Sequence, residues 1–600
     1  MKSSRFFYII IIGTLFLNSY IFPQNTTKVI DDYLTSMNKV GKFNGSVLVA
    51  VNDSIKFNKG YGYANFEWAV PNSLDSKFNI GSVSKQFTTV MVFQLEQEGK
   101  LKLEDYISKY LPGYRKDIGN KVAVDQLLRH TSGIPCYIRD YKRKTEDDLL
   151  FPFPGGTHFT NEELITKYMS GDLLFEPGKK YSYSNTGFYF LHLIIEKVTG
   201  KAYEENLNER ILIPLGLKNT GLLDNYKVVN NLTSGYVNTP LGMIKSKYNY
   251  EPNYYGAGGI YSTTEDLLTW NRALHSGNFL TAAVREKMFT PYLKEGGYVQ
   301  YAYSLNYFTM RLTGKPAPVK YSSFNGAIQG FISDVIRFED DGITIVILDN
   351  SDQLNHTRIA GNIYKLLMNQ NAETPKLSLS RHIAKTAIEN GIDKAISEYY
   401  KILASNSDEY AVGPLSGLSW TAFIFADAGM NKEAQTLLTL NKELYPHSAE
   451  AYNDFADFLE HIKSPDAIKM REKAGNVKQK EKELYGFISG LKFDEAMKIV
   501  ESAKKDFPRS DVFESYKIGP IFSEFMGKGK TDEAIQVCKL WAKGNTGDVG
   551  PYFSMARIYE GLGNKEELKN CYEKILEIAK NESQKQRAKD KLKELEDKNE

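Results

Sequence analysis

Two short stretches spell out side chains suited to acyl transfer: Ser82-Val83-Ser84-Lys85 and, further on, Tyr183-Ser184-Asn185. A serine hydroxyl is a poor nucleophile until a neighbour takes its proton, and a lysine three residues along a helix lies on the serine's own face. Spacing alone does not settle the matter. Ser-x-x-Lys also occurs from Ser36 to Lys39 and from Ser502 to Lys505, and Tyr-x-Asn matches at Tyr63 and Tyr236 as well. Context selects Ser82, at the start of a helical run, and Tyr183. The latter follows a Pro177-Gly178 turn and precedes the apolar run Phe188 to Val198, so it sits on a loop entering a helix.

Further stretches recur in a recognisable order. After Phe78-Asn79-Ile80-Gly81-Ser82-Val83-Ser84-Lys85 come Leu127-Leu128-Arg129-His130-Thr131-Ser132-Gly133, then Ile213-Pro214-Leu215-Gly216-Leu217, then Gly256-Ala257-Gly258-Gly259-Ile260-Tyr261-Ser262-Thr263. Together they resemble the penicillin-binding-protein and class C β-lactamase-like serine hydrolases over roughly residues 27 to 370. The resemblance implies an α+β fold: an antiparallel sheet built from both chain ends, flanked by helices, with a helical lobe inserted. It also implies roles. Ser82 is the nucleophile that forms an acyl-enzyme, and Lys85 and Tyr183 handle its proton. A protonated Lys85 would lower the Tyr183 pKa from its usual value of about 10, so Tyr183 is favoured as base, although Lys85 is the alternative. Asn185 holds Lys85 and the substrate.

The third family element, commonly Lys-Thr-Gly or His-x-Gly on a strand, aligns with Phe324-Asn325-Gly326-Ala327. The basic residue is replaced by Phe324. The backbone does not depend on that side chain, so the N–H groups of Ser82 and Ala327 are expected to form an oxyanion hole, in which one donor is worth about 2.7 to 4 kcal/mol. What changes is recognition of a substrate carboxylate, which a cation at 324 would help bind. A neutral ester suits the site better. The expected function is an exported esterase or peptidase-like acyl hydrolase acting on a small ester, amide or peptide. The alternatives are a D-stereospecific peptidase, carboxypeptidase or β-lactamase acting on cell-wall-type substrates and, from another class, a non-catalytic scaffold. His130 is expected to be a packed structural histidine away from the three motifs, Arg337 a structural ion pair, and Tyr254 and Tyr255 pocket aromatics.

These residues need elements to carry them. Phe43 to Val51 and Ile55 to Tyr63 read as a hairpin around Asn52-Asp53, Gly342 to Leu348 as a buried strand, and Arg358 to Met368 as a helix. Asn369 to Leu379, with Thr374-Pro375, reads as a linker, its core being residues 371–379. From 380 to 600 helical periodicity dominates. Small or apolar residues recur at Ala395, Ala434, Ala467, Ala496, Ala534 and Leu568, at spacings of 39, 33, 29, 38 and 34. Prolines follow two of the helices at Pro446 and Pro508, a pattern resembling an all-α tetratricopeptide-like solenoid. Such stacks offer curved surfaces to a protein or peptide partner.

Six hundred residues exceed one ordinary core, so at least two domains are expected. A net charge of +2 is small for this length and excludes a strongly basic, nucleic-acid-binding surface as the chief function. Residues 1–24 combine a basic start, Lys2 and Arg5, with the apolar run Phe6 to Leu17. They read as a secretory signal cleaved between Phe22 and Asn25, which implies a periplasmic or secreted protein, membrane-anchored if the signal is retained. Of the three cysteines, Cys136 stands alone, while Cys538 and Cys571 are expected to be buried free thiols. The eight histidines lack metal-ligand spacing, and neither a metal nor a cofactor is expected.

Overall fold

The apolar run Gly45–Val51 is buried along its whole length, because both faces of the sheet that holds it are covered. In the computed structural model, which describes residues 25–139, 154–295, 299–310, 318–353, 356–405, 409–411, 415–506, 512–513, 515–579 and 582–597, this run is strand β1. It pairs with β2 (Ser54–Tyr61) as the expected hairpin. The signal assigned to residues 1–24 lies outside the described residues.

The main sheet is antiparallel. To β1 and β2 it adds β3 (Leu293–Glu295), β4 (Val299–Ala302), β5 (Leu305–Met310), β6 (Val319–Ile328), β7 (Phe331–Phe338) and β8 (Ile343–Asp349), in the order β3-β4-β5-β6-β7-β8-β1-β2. Both ends of the segment that builds this sheet therefore meet at the β8–β1 seam, where Leu48 faces Val346.

Alternation along these strands divides the core in two. Val47, Val49, Ile345 and Ile347 point toward helices α1 (Thr26–Lys39) and α5 (His356–Leu367), with Ile30, Leu34, Ile359 and Ile363. Leu48, Ala50, Val346 and Leu348 point the other way, into a larger core with α2 (Ser84–Gln97), α3 (Asn185–Thr199) and α4 (Thr264–His275). Helix α2 is buried on nearly every side, so its polar Lys85 must find partners inside the protein.

The region after Leu379 is largely helical. Helices pack as successive pairs, Leu379–Asn390 with Ile392–Ser405, Leu415–Asp427 with Asn431–Leu444, Ala449–His461 with Asp466–Ser489, Ser515–Gly527 with Thr531–Gly544, and Gly550–Leu562 with Lys565–Ile578. All six recurrent positions, Ala395 through Leu568, are buried. Pro446 follows the helix ending at Leu444, while Pro508 lies outside the described residues. One feature departs from the sequence reading: strands do not end at the linker, since Leu377–Ser378 pairs in parallel with Tyr410–Ala411. Two-residue strands carry no periodicity, so no pattern announces them. Cys538 and Cys571 are buried free thiols.

The helical region touches the sheet-bearing part through Arg381. Its guanidinium donates to Asn238 O at 2.6 Å and Gly41 O at 3.4 Å, and Leu241 packs against the core of the first helix pairs.

Candidate active site

Ser82 stands in a single 3-10 turn, Gly81–Val83, immediately ahead of α2. That turn is pinned on several sides. Ile80 N donates to Ile260 O at 2.9 Å, Ser333 Oγ donates to Ile80 O at 2.7 Å, and Ile260 N donates to Ser84 Oγ at 3.1 Å. The decoys sit elsewhere. Ser36 is exposed on α1 with its hydroxyl spent on Asp32 O, and Ser502 is exposed on the helix Phe493–Asp506.

Helical spacing brings Lys85 onto the serine's face. Lys85 Nζ lies 3.0 Å from Ser82 Oγ, 2.8 Å from Asn185 Oδ1 and 2.6 Å from Ala257 O. Tyr183 Oη donates to Ser82 Oγ at 2.7 Å. Asn185 opens helix α3, and both its backbone N–H and its Nδ2 point at Cys136 Sγ, at 3.4 and 3.5 Å. One nucleophile thus has an amine and a hydroxyl neighbour within hydrogen-bond reach, the amine from its own segment and the hydroxyl from a second.

Burial sets the electrostatics. Lys85 is fully buried, and loss of water pulls its pKa down to about 7, against a small opposing influence of Cys136. Burial also raises the Tyr183 phenol above its ordinary value, and the bond to Ser82 only partly offsets this. The protonated-lysine argument, in which Lys85 lowers Tyr183, therefore does not describe this environment, because desolvation outweighs it for both groups. His130 is pushed down to about 3 by burial and then by the nearby Lys85, so its ring is neutral.

The third element lies directly against the nucleophile. A Cβ on Gly326 would fall 2.0 Å from Ile80 O and 2.8 Å from Ser82 N, and one on Gly81, whose φ is +49°, would fall 2.9 Å from Ala327 N. Only glycine lets β6 and the turn approach this closely. Ser82 and Ala327 border the same two clefts, of about 330 and 100 Å³. Phe324 lines the larger one and is otherwise part of the core.

An ordered set of motifs, a pinned nucleophile turn and a glycine-dependent strand contact all fall within residues that match the family described as Beta-lactamase, over residues 30–370. The chain belongs to the beta-lactamase family. It is accordingly a hydrolase-family enzyme with a helical extension beyond the matched region. A penicillin-binding protein of Bacillus subtilis is 28% identical over 345 residues, covering 55% of this chain and 73% of that protein. Teichoic acid D-alanine hydrolase of Staphylococcus aureus is 30% identical over 349 residues, covering 57% and 78%. Among solved structures, the octameric penicillin-binding protein homologue from Pyrococcus abyssi aligns with a TM-score of 0.49 at 25% identity, over 60% of this chain and 81% of that one.

Within this beta-lactamase-family site several residues escaped sequence reasoning. The carbonyl of Ala257, inside the glycine-rich stretch, is a lysine acceptor. Tyr181, Tyr292 and Tyr301 line the larger cleft with Ser304 and Asn306, and Tyr181 stacks on Tyr301 at 4.5 Å. Of the expected aromatics, Tyr254 borders the smaller cleft, whereas Tyr255 donates its hydroxyl to Leu223 O. His130 is buried as expected but not remote. Its backbone φ of +56° turns the ring onto Tyr183 at 4.4 Å, and its Nδ1 accepts from Ser184 N at 3.1 Å. Arg337 approaches Asp53 and Glu339 at 3.5 and 3.4 Å, as a structural ion pair would. Among the described residues no cluster of His, Cys, Asp and Glu is arranged to hold a metal ion, and no helix is long and apolar enough to cross a membrane.

Proposed function

We propose that this protein hydrolyses small ester- or amide-linked acyl groups through an acyl-enzyme on Ser82. The observation that carries the reading is the contact set of Lys85. A neutral amine has two N–H donors and one lone pair, and the acceptors Asn185 Oδ1 and Ala257 O account for the donors. The lone pair is left facing Ser82 Oγ. A pKa near 7 keeps a large share of Lys85 neutral at neutral pH. Lys85 therefore takes the serine proton as Oγ bonds to the acyl carbon, reversing the expectation that favoured Tyr183 as base. Tyr183, held protonated, donates to the departing oxygen or nitrogen and recovers a proton from Lys85. The N–H groups of Ser82 and Ala327 receive the oxyanion. Water then repeats the sequence on the acyl-enzyme and releases the acid.

An ester or amide donor agrees with the name of the S. aureus relative, a teichoic acid D-alanine hydrolase. The cleft favours substrates without a required carboxylate, because Phe324 stands where a cation would contact one. This sets the peptidase, carboxypeptidase and β-lactamase readings below the esterase reading. The complete Ser82, Lys85, Tyr183 and Asn185 set speaks against a scaffold without catalysis. The basic, then apolar, first residues support export, and the paired helices from 380 to 600 support a tetratricopeptide-like platform for a protein or peptide partner.

The test is mass spectrometry after treatment with a fluorophosphonate, together with turnover of an uncharged aryl ester and a penicillin. A Ser82 adduct, and loss of turnover in Ser82→Ala, are expected. Wild-type turnover in Ser82→Ala overturns the assignment. Phe324→Lys should raise the penicillin-to-ester ratio of kcat/KM by roughly ten- to a hundredfold, the worth of a charge-assisted hydrogen bond. An efficient penicillinase in the wild type would refute the ester preference.

A further inference from the structure

Asn79 precedes the nucleophile by three residues and is 3% exposed, on the short strand Phe78–Asn79 that pairs with Ile260–Ser262. Its two side-chain atoms face different parts of the site. Oδ1 accepts from Gly81 N at 2.9 Å, the residue immediately before Ser82. Nδ2 donates to Glu251 Oε2 at 3.2 Å. Glu251 opens the turn Glu251–Tyr254, with its own N–H donating to Asn225 Oδ1 at 2.8 Å. That turn continues directly to Ala257, whose N–H donates to Tyr254 O at 3.0 Å and whose carbonyl accepts from Lys85.

One buried amide thus ties the backbone that aims Ser82 to the segment that holds Lys85. Gly81 has a φ of +49°, a left-handed conformation open to glycine because it lacks a Cβ, and the Asn79 side chain gives its N–H a local acceptor there. The Gly81 N–H admits only Oδ1, since a flipped amide would set Nδ2 against it, and Glu251 Oε2, accepting from Nδ2, holds the amide in that orientation. Burial also pushes the Glu251 carboxyl up to about 8, so the link is neutral at pH 7 and brings no charge beside the nucleophile.

We propose that Asn79, oriented by Glu251, is a positioning residue that sets the register between the Ser82 hydroxyl and Lys85. The proposal rests on the acyl-enzyme reading above. Asn79→Ala should lower kcat and the rate of fluorophosphonate labelling at Ser82 by roughly ten- to a hundredfold, with KM little changed, because a displacement near 1 Å at a reacting atom costs about that much. Asn79→Ser has nearly the same bulk as alanine but keeps an oxygen able to accept from the N–H two residues on. It should recover a substantial part of the loss. Equal losses for alanine and serine would show a packing role and overturn the proposal. Glu251→Ala should give the same kinetic signature as Asn79→Ala, and the double variant should be no slower than the worse single one. Independent, multiplicative losses would break the link between the two. Should Asn79→Ala not fold, an unchanged labelling rate in Glu251→Ala overturns the proposal by itself. Wild-type protein that is never labelled at Ser82 would instead overturn the acyl-enzyme reading, so the two failures are distinct.

Discussion

The choice of Lys85 as base makes a prediction that separates it from Tyr183. Burial moves the lysine from 10.5 to about 7, which at roughly 1.4 kcal/mol per pH unit is about 5 kcal/mol of lost charge stabilisation. At pH 7 about half of the enzyme then carries a neutral amine, compared with roughly three molecules in ten thousand for an ordinary lysine. Because the neutral form is the active one, kcat/KM for an uncharged aryl ester should rise about tenfold per pH unit below 7 and level off above it. That profile reports the free enzyme, so the substrate must not ionise between pH 5 and 10. Tyr183→Phe should lower the plateau without moving the midpoint, whereas Asn185→Asp should move the midpoint upward, because a carboxylate beside the amine favours its charged form. A midpoint near 9 or 10, or one that shifts in Tyr183→Phe, refutes the assignment. Stability has its own sign. The unfolded chain still binds the lysine proton between pH 7 and 10.5 while the folded chain has released it, so stability rises with pH across that window, and Lys85→Met should flatten the rise.

Gly326→Ala places a methyl group 2.0 Å from Ile80 O, so β6 must withdraw from the nucleophile turn. The expected result is a fall in kcat of about a hundred- to a thousandfold, the cost of one oxyanion donor, and a fall below tenfold in steady-state assays would argue against Ala327 N as that donor. Residues 27–370 alone should fold and hydrolyse the ester, since every named site residue lies within them. The truncation removes the Arg381 donations to Gly41 O and Asn238 O, together worth a few kcal/mol at most, so thermal unfolding should begin several degrees lower. An insoluble or inactive fragment would show that the helical region completes the hydrolase core.

The nucleophile region was legible because its chemistry is local. Lys85 meets Ser82 through three residues of helix, and Tyr183 with Asn185 enters α3 through a turn that Pro177-Gly178 announces. The hairpin and the β8 strand were legible for a similar reason, as β-rich apolar runs. The cleft wall was not. Tyr292, Tyr301 and Asn306 reach the site only because β3, β4 and β5 form the far edge of the sheet, a pairing that no short pattern records. His130 was misplaced because one left-handed backbone angle turns its ring onto Tyr183. The lowered lysine pKa was not legible either, since it depends on how completely a helix is buried and on the charge of its acceptors, two of which, Asn185 and Ala257, come from distant segments.

The same burial accounts for a lowered lysine pKa among groups that attract cations. The rings of Tyr183 and Phe188 lie 5.0 and 5.5 Å from Nζ, and each would favour the ammonium by about 0.5 to 2 kcal/mol. Three oxygen acceptors favour it too. Yet every one of those acceptors is neutral, being a hydroxyl, an amide and a peptide carbonyl, so none supplies the Coulombic attraction that would offset removal from water. Desolvation of a full charge costs several kcal/mol even after relaxation, and it prevails over two ring contacts. Asn185 is the residue on which this balance turns. An amide oxygen orients the amine as well as a carboxylate would, but it leaves the proton free to depart, and Phe324 adds no second charge to the cleft. Burial therefore lowers the lysine pKa, and the neutral surroundings leave that shift intact.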